Sequence, residues 1–317
     1  MTEKEQFISV IIPTCDRPKT LIQCIDSIRS NNYKEYEIIV VDQSSDSKTE
    51  NLIKKYSDPD LIYIRSDIKC SSDARNRGWK KAKGDIIAFT DDDAFVDSGW
   101  LEAISEALNA SNADVGMVGG RITPLFKTPR PSWLPPEKDF LLPSFDAGSE
   151  VRPFPEESLP VSVNLALRNK VLEETGGFDT RLGLKKSETS IDLTGGEDSY
   201  LGIKVKNLGY KIIYLPTAIV FHPITPDRLT KSFFLKRNFR EGVTAIALEN
   251  VKSTCTKKRL SSHISWHTKR IFYYFLLMVK DIIFFKENRS RIIMLRAAEI
   301  AFSIGVVRHS AYLKGNQ

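Results

Sequence analysis

Short apolar blocks alternate with longer amphipathic ones through the N-terminal part of the chain, and the two lengths suit strands and helices. Residues 7–13, 37–41, 61–65 and 85–89 are nearly continuous apolar runs, too short for buried helices, and read as strands covered on both faces. Between them, residues 18–30, 47–56 and 73–81 predict helices. Pro18 suits a first helical turn, because the N–H it lacks would be unpaired there anyway. Ser98 is a candidate N-cap for a further helix running to residue 109. Strand–helix alternation of this kind predicts an α/β fold, a mostly parallel sheet flanked by helices.

After Gly119 and Gly120 the pattern breaks. Residues 123–143, TPLFKTPRPSWLPPEKDFLLP, are proline-rich with bulky aromatics and read as a long excursion, of the kind that is usually functional or disordered. Regularity returns with a strand at 161–167, a short helix, and Gly176-Gly177-Phe178. A helix at 197–207 has Gly209 near its end, followed by two short strands at 211–215 and 218–221. Residues 253–262 read as a polar, basic linker, and from Trp266 onward the pattern is helical and amphipathic. The expected division is one α/β domain over 1–230 and a helical region over 231–317.

Hydrophobic residues make up 41% of the 317 positions and charged residues 27%, the composition of a folded rather than a disordered chain. The net charge of +6 is mild, but much of the excess falls late, at Lys257, Lys258, Arg259, Lys269, Arg270, Arg289, Arg291 and Arg296. Beside aromatic and aliphatic runs, that region fits an anionic surface, membrane or nucleic acid, with a solvated helix face as the plainer alternative. Peripheral membrane contact through it is the expectation, with no nucleic-acid partner. Cys15, Cys24, Cys70 and Cys255 have no paired spacing, which speaks against a zinc site or a disulfide framework and for a reducing compartment. The opening residues lack the pattern of a secretory signal, and no run reaches the roughly 18 to 20 apolar residues of a bilayer span. A cytoplasmic protein, peripheral at the inner face of the membrane, is expected.

The acids carry the chemistry. Asp16, Asp42 and Asp91 to Asp93 all fall at or just past the C-terminal ends of predicted strands, the edge where open parallel sheets bind ligands. Carboxylates gathered on one rim repel one another unless a cation or donor is supplied. A Mg²⁺ or Mn²⁺ held by one or two carboxylates completes its shell with water and phosphate oxygens, so the pattern predicts a metal–diphosphate site. Singly, Asp42 could be a strand-end turn residue and the Asp91–Asp93 run a loop leading into a helix. The acids are consecutive rather than alternate, which disfavours a calcium loop. No GxGxxG follows the first strand and no P-loop is present, which disfavours a dehydrogenase or an ATPase.

Four segments occur in order: SVIIPTCDRPKTL, EIIVVDQSSD, ARNRGWKKAKGDIIAFTDDDA, and GGFDTRLG with GGEDSYLGIKVKNLGY. Together, over residues 7 to 222, they resemble the family 2 glycosyltransferases of GT-A fold. The resemblance implies a Rossmann-like nucleotide-binding half joined to an acceptor-binding half. By position, Pro13, Thr14, Asp16 and Arg17 correspond to the first nucleotide-contacting loop and Asp42 to the acid beside the nucleobase. Arg75 and Asn76 correspond to the lining of the nucleotide pocket. Asp91 and Asp93 match the DxD pair, Asp91 towards the ribose and Asp93 on the metal, with Asp92 among the nucleotide-sugar contacts. Asp198 matches the catalytic base, with Glu197 beside it. His222 falls where many relatives keep a histidine near the metal, although a histidine after a strand can be purely structural.

The implied activity is inverting, metal-dependent transfer of a sugar from a nucleotide-diphosphate donor, with Mn²⁺ or Mg²⁺ as cofactor. The acceptor would be a hydroxyl of a saccharide or lipid-linked saccharide, in building a surface or exported polysaccharide. A sugar nucleotidyltransferase shares the fold class and the metal but would need a glycine-rich, basic first loop. A non-catalytic sugar-binding scaffold would need no base. The polar stretch 185–194 precedes Gly195-Gly196, the loop around Trp133 is a candidate for acceptor choice, and Asn164 receives no role.

Overall fold

The computed structural model describes residues 6–56, 58–110, 114–156, 158–183, 195–284 and 288–316. The stretch 185–194 lies outside the described residues. The chain forms two compact units. The first comprises Met1–Pro124, Ser144–Thr180 and Glu197–Pro223; the second comprises Leu125–Pro143, Arg181–Gly196 and Ile224–Gln317.

Among the described residues, the first unit is built on a nine-stranded sheet. Its strands are β1 (Ile8–Thr14), β2 (Tyr36–Asp42), β3 (Leu61–Arg65), β4 (Ile86–Phe89), β5 (Phe95–Val96), β6 (Val115–Phe126), β7 (Arg152–Pro153), β8 (Leu165–Arg168) and β9 (Lys211–Ile224). The order is β3-β2-β1-β4-β8-β6-β9-β5, with β7 on β9. The half β3-β2-β1-β4 is parallel, as the alternation predicts, and β8 then pairs antiparallel with both β4 and β6. The flanking helices are α1 (Pro18–Arg29), α2 (Lys48–Ile53), α3 (Ser71–Trp79), α4 (Trp100–Ala110), α5 (Asn169–Thr175) and α6 (Glu197–Asn207).

Successive side chains of β1 enter two different cores, which is why its sequence is apolar without a break. Val10 and Ile12 pack with Leu21, Ile25 and Ile28 of α1 and Trp100 of α4. Ile11 packs on the other face with Ala74 of α3, Val171 of α5 and Leu201 of α6. The buried stripe of α1, Leu21, Cys24, Ile25 and Ile28, has the spacing of one helical face. Gly176 stops α5 in the left-handed region, at φ +70°, and its N–H bonds back to the last turn.

Several expectations are corrected. Residues 161–164 are not strand; β8 begins at Leu165. Gly119 and Gly120, which break the sequence pattern, lie inside the long strand β6. A side chain at Gly120 would meet the Ala218 carbonyl and Asn164, so that glycine marks close approach rather than a turn. The two strands expected at 211–215 and 218–221 are one strand, β9. The expected linker at 253–262 is helical from Lys257, where the basic residues form the first turn of α8.

The second unit holds α7 (Lys231–Lys252), α8 (Lys257–Phe284) and α9 (Arg289–Gly315). Gly242 and Gly305 let α7 and α9 touch backbone to backbone: a Cβ on Gly242 would fall on the Phe302 carbonyl, and one on Gly305 on that of Phe239. The proline-rich excursion packs into this unit, with Leu134, Leu141 and Leu142 buried beside Ile224, Leu229, Phe234, Met294 and Ala298. Its Lys138 pairs with Glu299 of α9 at 2.9 Å.

Candidate active site

The loops after β1 and β2 are laced together. Pro13 and Thr14 stand in register with Val41 and Asp42. Asp16 has φ 58°, a region that aspartate tolerates better than most residues. Its N–H donates to Ser44 Oγ at 2.7 Å, and its Oδ1 accepts from the N–H and the hydroxyl of Ser45, both at 3.0 Å. Asp42 is completely buried. Its carboxylate accepts from the Ser44 N–H at 2.8 Å, the Tyr63 hydroxyl at 2.8 Å and Arg65 Nη1 at 3.3 Å. Tyr63 and Arg65 share one face of β3, and Arg65 sits in register with Asp42.

The acid run follows β4. Asp92 is buried, accepting from Thr14 Oγ1 at 2.7 Å and Arg17 Nη1 at 3.2 Å. Burial pushes its carboxyl up to about 6, against the pull of Arg17 and Thr14. The same Arg17 nitrogen donates to Asp93 Oδ2 at 3.1 Å. His222, buried on β9, brings Nε2 to 3.2 Å from Asp93 Oδ1 and Nδ1 to 3.1 Å from the Pro223 carbonyl. The Pro223 carbonyl only accepts, so Nδ1 donates to it, which leaves Nε2 as the ring nitrogen turned towards Asp93 and the one that would ligate a cation. Asp91, Asp93 and His222 each offer one ligand atom, all within 4.8 Å of one another. Two carboxylates and an imidazole whose other nitrogen is fixed by a carbonyl fit a Mn²⁺-type cation.

One buried guanidinium connects this rim to α6. Arg75 Nη2 donates to Asp91 Oδ1 at 3.1 Å and Nη1 to Glu197 Oε1 at 3.0 Å. Ser71 Oγ also donates to Glu197, at 3.0 Å, and the Phe178 ring lies 5.6 Å from the guanidinium carbon. Asp198, half-buried at the start of α6, accepts from the Ser162 N–H at 3.2 Å and the Ser199 N–H at 2.8 Å. Desolvation, with Glu197 beside it, pushes the Asp198 carboxyl up to about 6.

Asn76 is not brought to the acid rim. Its Nδ2 donates to the Phe178 carbonyl at 2.8 Å, and its Oδ1 accepts the Phe178 N–H at 2.9 Å. Asn164 is equally committed: Oδ1 accepts from Trp100 Nε1 at 2.9 Å, and Nδ2 donates to the Arg121 and Ala218 carbonyls.

A family model described as Glycosyl transferase family 2 matches residues 9–176. The chain belongs to glycosyl transferase family 2. This family 2 chain is 28% identical over 247 residues to Glycosyltransferase AglE of Haloferax volcanii, covering 76% of itself and 74% of that protein. It is 23% identical over 244 residues to the Glucosyl-dolichyl phosphate glucuronosyltransferase of the same organism, covering 74% and 75%. A mannosyltransferase from Pyrobaculum calidifontis, solved in complex with GDP-Man and Mn²⁺, superposes with TM-score 0.58 over 96% of this chain and 88% of that one. At 17% identity that likeness shows the fold alone, and it agrees with the GT-A type.

Of the residues singled out in the sequence, Thr14, Arg17, Asp92, Asp93 and His222 form one continuous set of contacts, and Arg75, Asp91 and Glu197 another. Tyr63, Arg65, Ser71, Ser162 and Phe178 were not singled out. For Tyr63 and Arg65 a signal existed: polar groups two apart at the end of a strand share one face. Ser162 offers only its N–H, which a side-chain pattern does not reveal.

Proposed function

We propose that this glycosyltransferase moves a sugar from a nucleotide-diphosphate donor to a hydroxyl of a lipid-linked saccharide, with inversion at the anomeric carbon. The reading places it in assembly of a surface or exported polysaccharide. The observation that carries it is the reach of Arg75, which holds Asp91 on the donor rim and Glu197, the neighbour of Asp198, on one guanidinium. A metal-side acid and a candidate base are thereby kept near one another but on different elements, as a displacement with separate leaving-group and nucleophile sides requires.

In this reading Asp91, Asp93 and His222 hold Mn²⁺ or Mg²⁺. The cation, when bound, would neutralise charge on the departing diphosphate. Asp42, Asp16, Thr14, Arg17 and Pro13 shape the nucleotide end, and Asn76 contributes by fixing the turn at Phe178. Asp198 takes the proton of the acceptor hydroxyl. A carboxyl raised to about 6 is ionised at neutral pH, yet it is more basic than an ordinary aspartate and so better suited to that proton. The name of the dolichyl-phosphate relative supports the lipid-linked class of acceptor.

The test is transfer from UDP-, GDP- and dTDP-sugars to lipid-linked saccharides with Mn²⁺ or chelator, the product anomer being read by NMR. A product with the donor's anomeric configuration would sink inversion. Full turnover in excess chelator would sink the metal, and failure with lipid-linked acceptors alongside turnover on free saccharides would sink the acceptor class.

A further inference from the structure

The long helix α8 has two unlike sides. Leu260, His267 and Asp281 are buried, spaced in multiples of seven along one face. On the other, Phe272, Leu276, Val279 and Ile283 follow one another at steps of three and four, and they are 66%, 67%, 39% and 64% exposed. Trp266 and Phe275 extend this surface, each more than half exposed. Lys269 and Lys280 are exposed beside the stripe, and Lys257, Lys258 and Arg259 are exposed at the helix start. The helix has one acid, Asp281, which is buried and paired with Arg296 at 2.9 Å. The outward face is therefore apolar and cationic, with no carboxylate to repel an anionic surface.

We infer that this face of α8 docks on a membrane bearing anionic lipids, with the helix lying along the surface. Rings and aliphatic side chains would enter the boundary between headgroups and acyl chains while Lys269 and Lys280 meet lipid phosphates. No helix among the described residues is long and apolar enough to cross a membrane, so the helix rests on the bilayer rather than spanning it. At about 1.5 Å per residue the exposed apolar line from Trp266 to Ile283 is roughly 25 Å long, much longer than a chance exposed side chain. Charge decides against a second copy as occupant, since two such faces would bring lysines together.

The inference rests on the lipid-linked acceptor of the proposed function only for its purpose. Its test uses neither donor nor acceptor, so failure leaves sugar transfer standing. Full-length protein is floated with phosphatidylcholine vesicles with and without phosphatidylglycerol. Binding is expected on the anionic vesicles alone and falling with salt. Lys269→Gln with Lys280→Gln should weaken it by about tenfold or more, and Phe272→Ser with Leu276→Ser and Ile283→Ser should abolish it. Brominated lipid should quench Trp266 fluorescence in the intact protein, a loss absent from Trp266→Phe. All positions changed are exposed, and circular dichroism checks the fold. Absence of flotation, or equal flotation by the variants, overturns the inference. So does a dimer that the serine variant turns into a monomer, which would assign the face to a second copy.

Discussion

Arg75 donates to Glu197 across 122 positions of sequence, at 3.0 Å and with both side chains almost wholly buried. A buried carboxylate and guanidinium seldom offset their desolvation by attraction alone. Here the pair has further partners: Ser71 also donates to Glu197, and Asp91 takes the other end of Arg75. The arrangement stabilises a geometry rather than the fold in general, tying the start of α6 to the acid run after β4.

Removing that guanidinium should therefore be costly twice. Arg75→Met is expected to lower unfolding free energy by about 3 kcal/mol, because it strands a buried carboxylate. Urea denaturation measures this, and adding Glu197→Gln should restore much of the loss. Activity should stay low in the double variant, since Asp91 and α6 are no longer held together. Recovery of both stability and activity would show that the bridge serves folding alone.

Asn76 makes a contrasting case. Both ends of its amide are used by the backbone of Phe178, so Asn76→Ala should cost about 1 to 3 kcal/mol of stability. Nucleotide affinity, measured by calorimetry on the folded variant, should change little. A large affinity loss with unchanged stability would return Asn76 to the pocket lining.

These two residues show what could be read from the chain. The strand ends near Asp16, Asp42 and Asp91 were legible because a parallel sheet buried on both faces leaves uninterrupted apolar runs, and each run stops at or a few residues before its acid. Strand β6 was not legible, because Gly119 and Gly120 signal a turn locally and reveal a close approach only once Ala218 and Asn164 are in place. Asn76 sits within a motif that resembles a nucleotide-pocket segment, yet its partner is a backbone 102 positions away. Contacts to remote main chain leave no periodic trace. The proline-rich excursion misled in the same way: Leu134, Leu141 and Leu142 are core residues, but the side chains they pack against, from Ile224 onward, come 80 or more positions later.

The crossing of α7 and α9 gives a prediction about stability. Gly242→Ala would set a methyl group against the Phe302 carbonyl and the Val306 N–H. Two helices would have to separate, with an expected loss of about 1 to 3 kcal/mol. A thermal or urea melt reads it, and nucleotide binding by the folded fraction should be unchanged. A variant as stable as the parent would mean that the helices can move apart freely.

Metal binding can be measured apart from turnover. Mn²⁺ affinity, followed by electron paramagnetic resonance in the absence of donor, should fall in Asp93→Asn and His222→Ala. The drop should exceed the roughly 10- to 100-fold cost of losing an outer-shell partner. Arg17→Gln should have the opposite sign, because Arg17 pairs with Asp93 and would compete with an incoming cation for that carboxylate. Unchanged affinity in all three would remove Asp93 and His222 from the metal site.

Asp198 yields the prediction that best separates catalysis from capping. Its carboxyl is raised to about 6, and a base must be deprotonated to work. The acid limb of kcat/KM should then rise through an apparent pKa near that value. Stability should move the other way. The unfolded chain holds this proton only to about 3.9, whereas the folded chain holds it to about 6. The carboxyl's contribution is thus fully present below the unfolded value and is lost as pH rises through the folded one. Asp198→Asn should flatten that part of the stability profile while retaining one oxygen to accept the Ser199 N–H, the Ser162 N–H having bonded the other carboxylate oxygen. Rate should fall by about 10² to 10⁴, equivalent to about 3 to 5 kcal/mol of transition-state stabilisation. Donor affinity should hold, because the donor's candidate contacts lie on the loops after β1, β2 and β4. Were Asp198 only a helix cap, asparagine would serve nearly as well. Near-normal turnover by the folded, donor-binding variant would then place the base elsewhere.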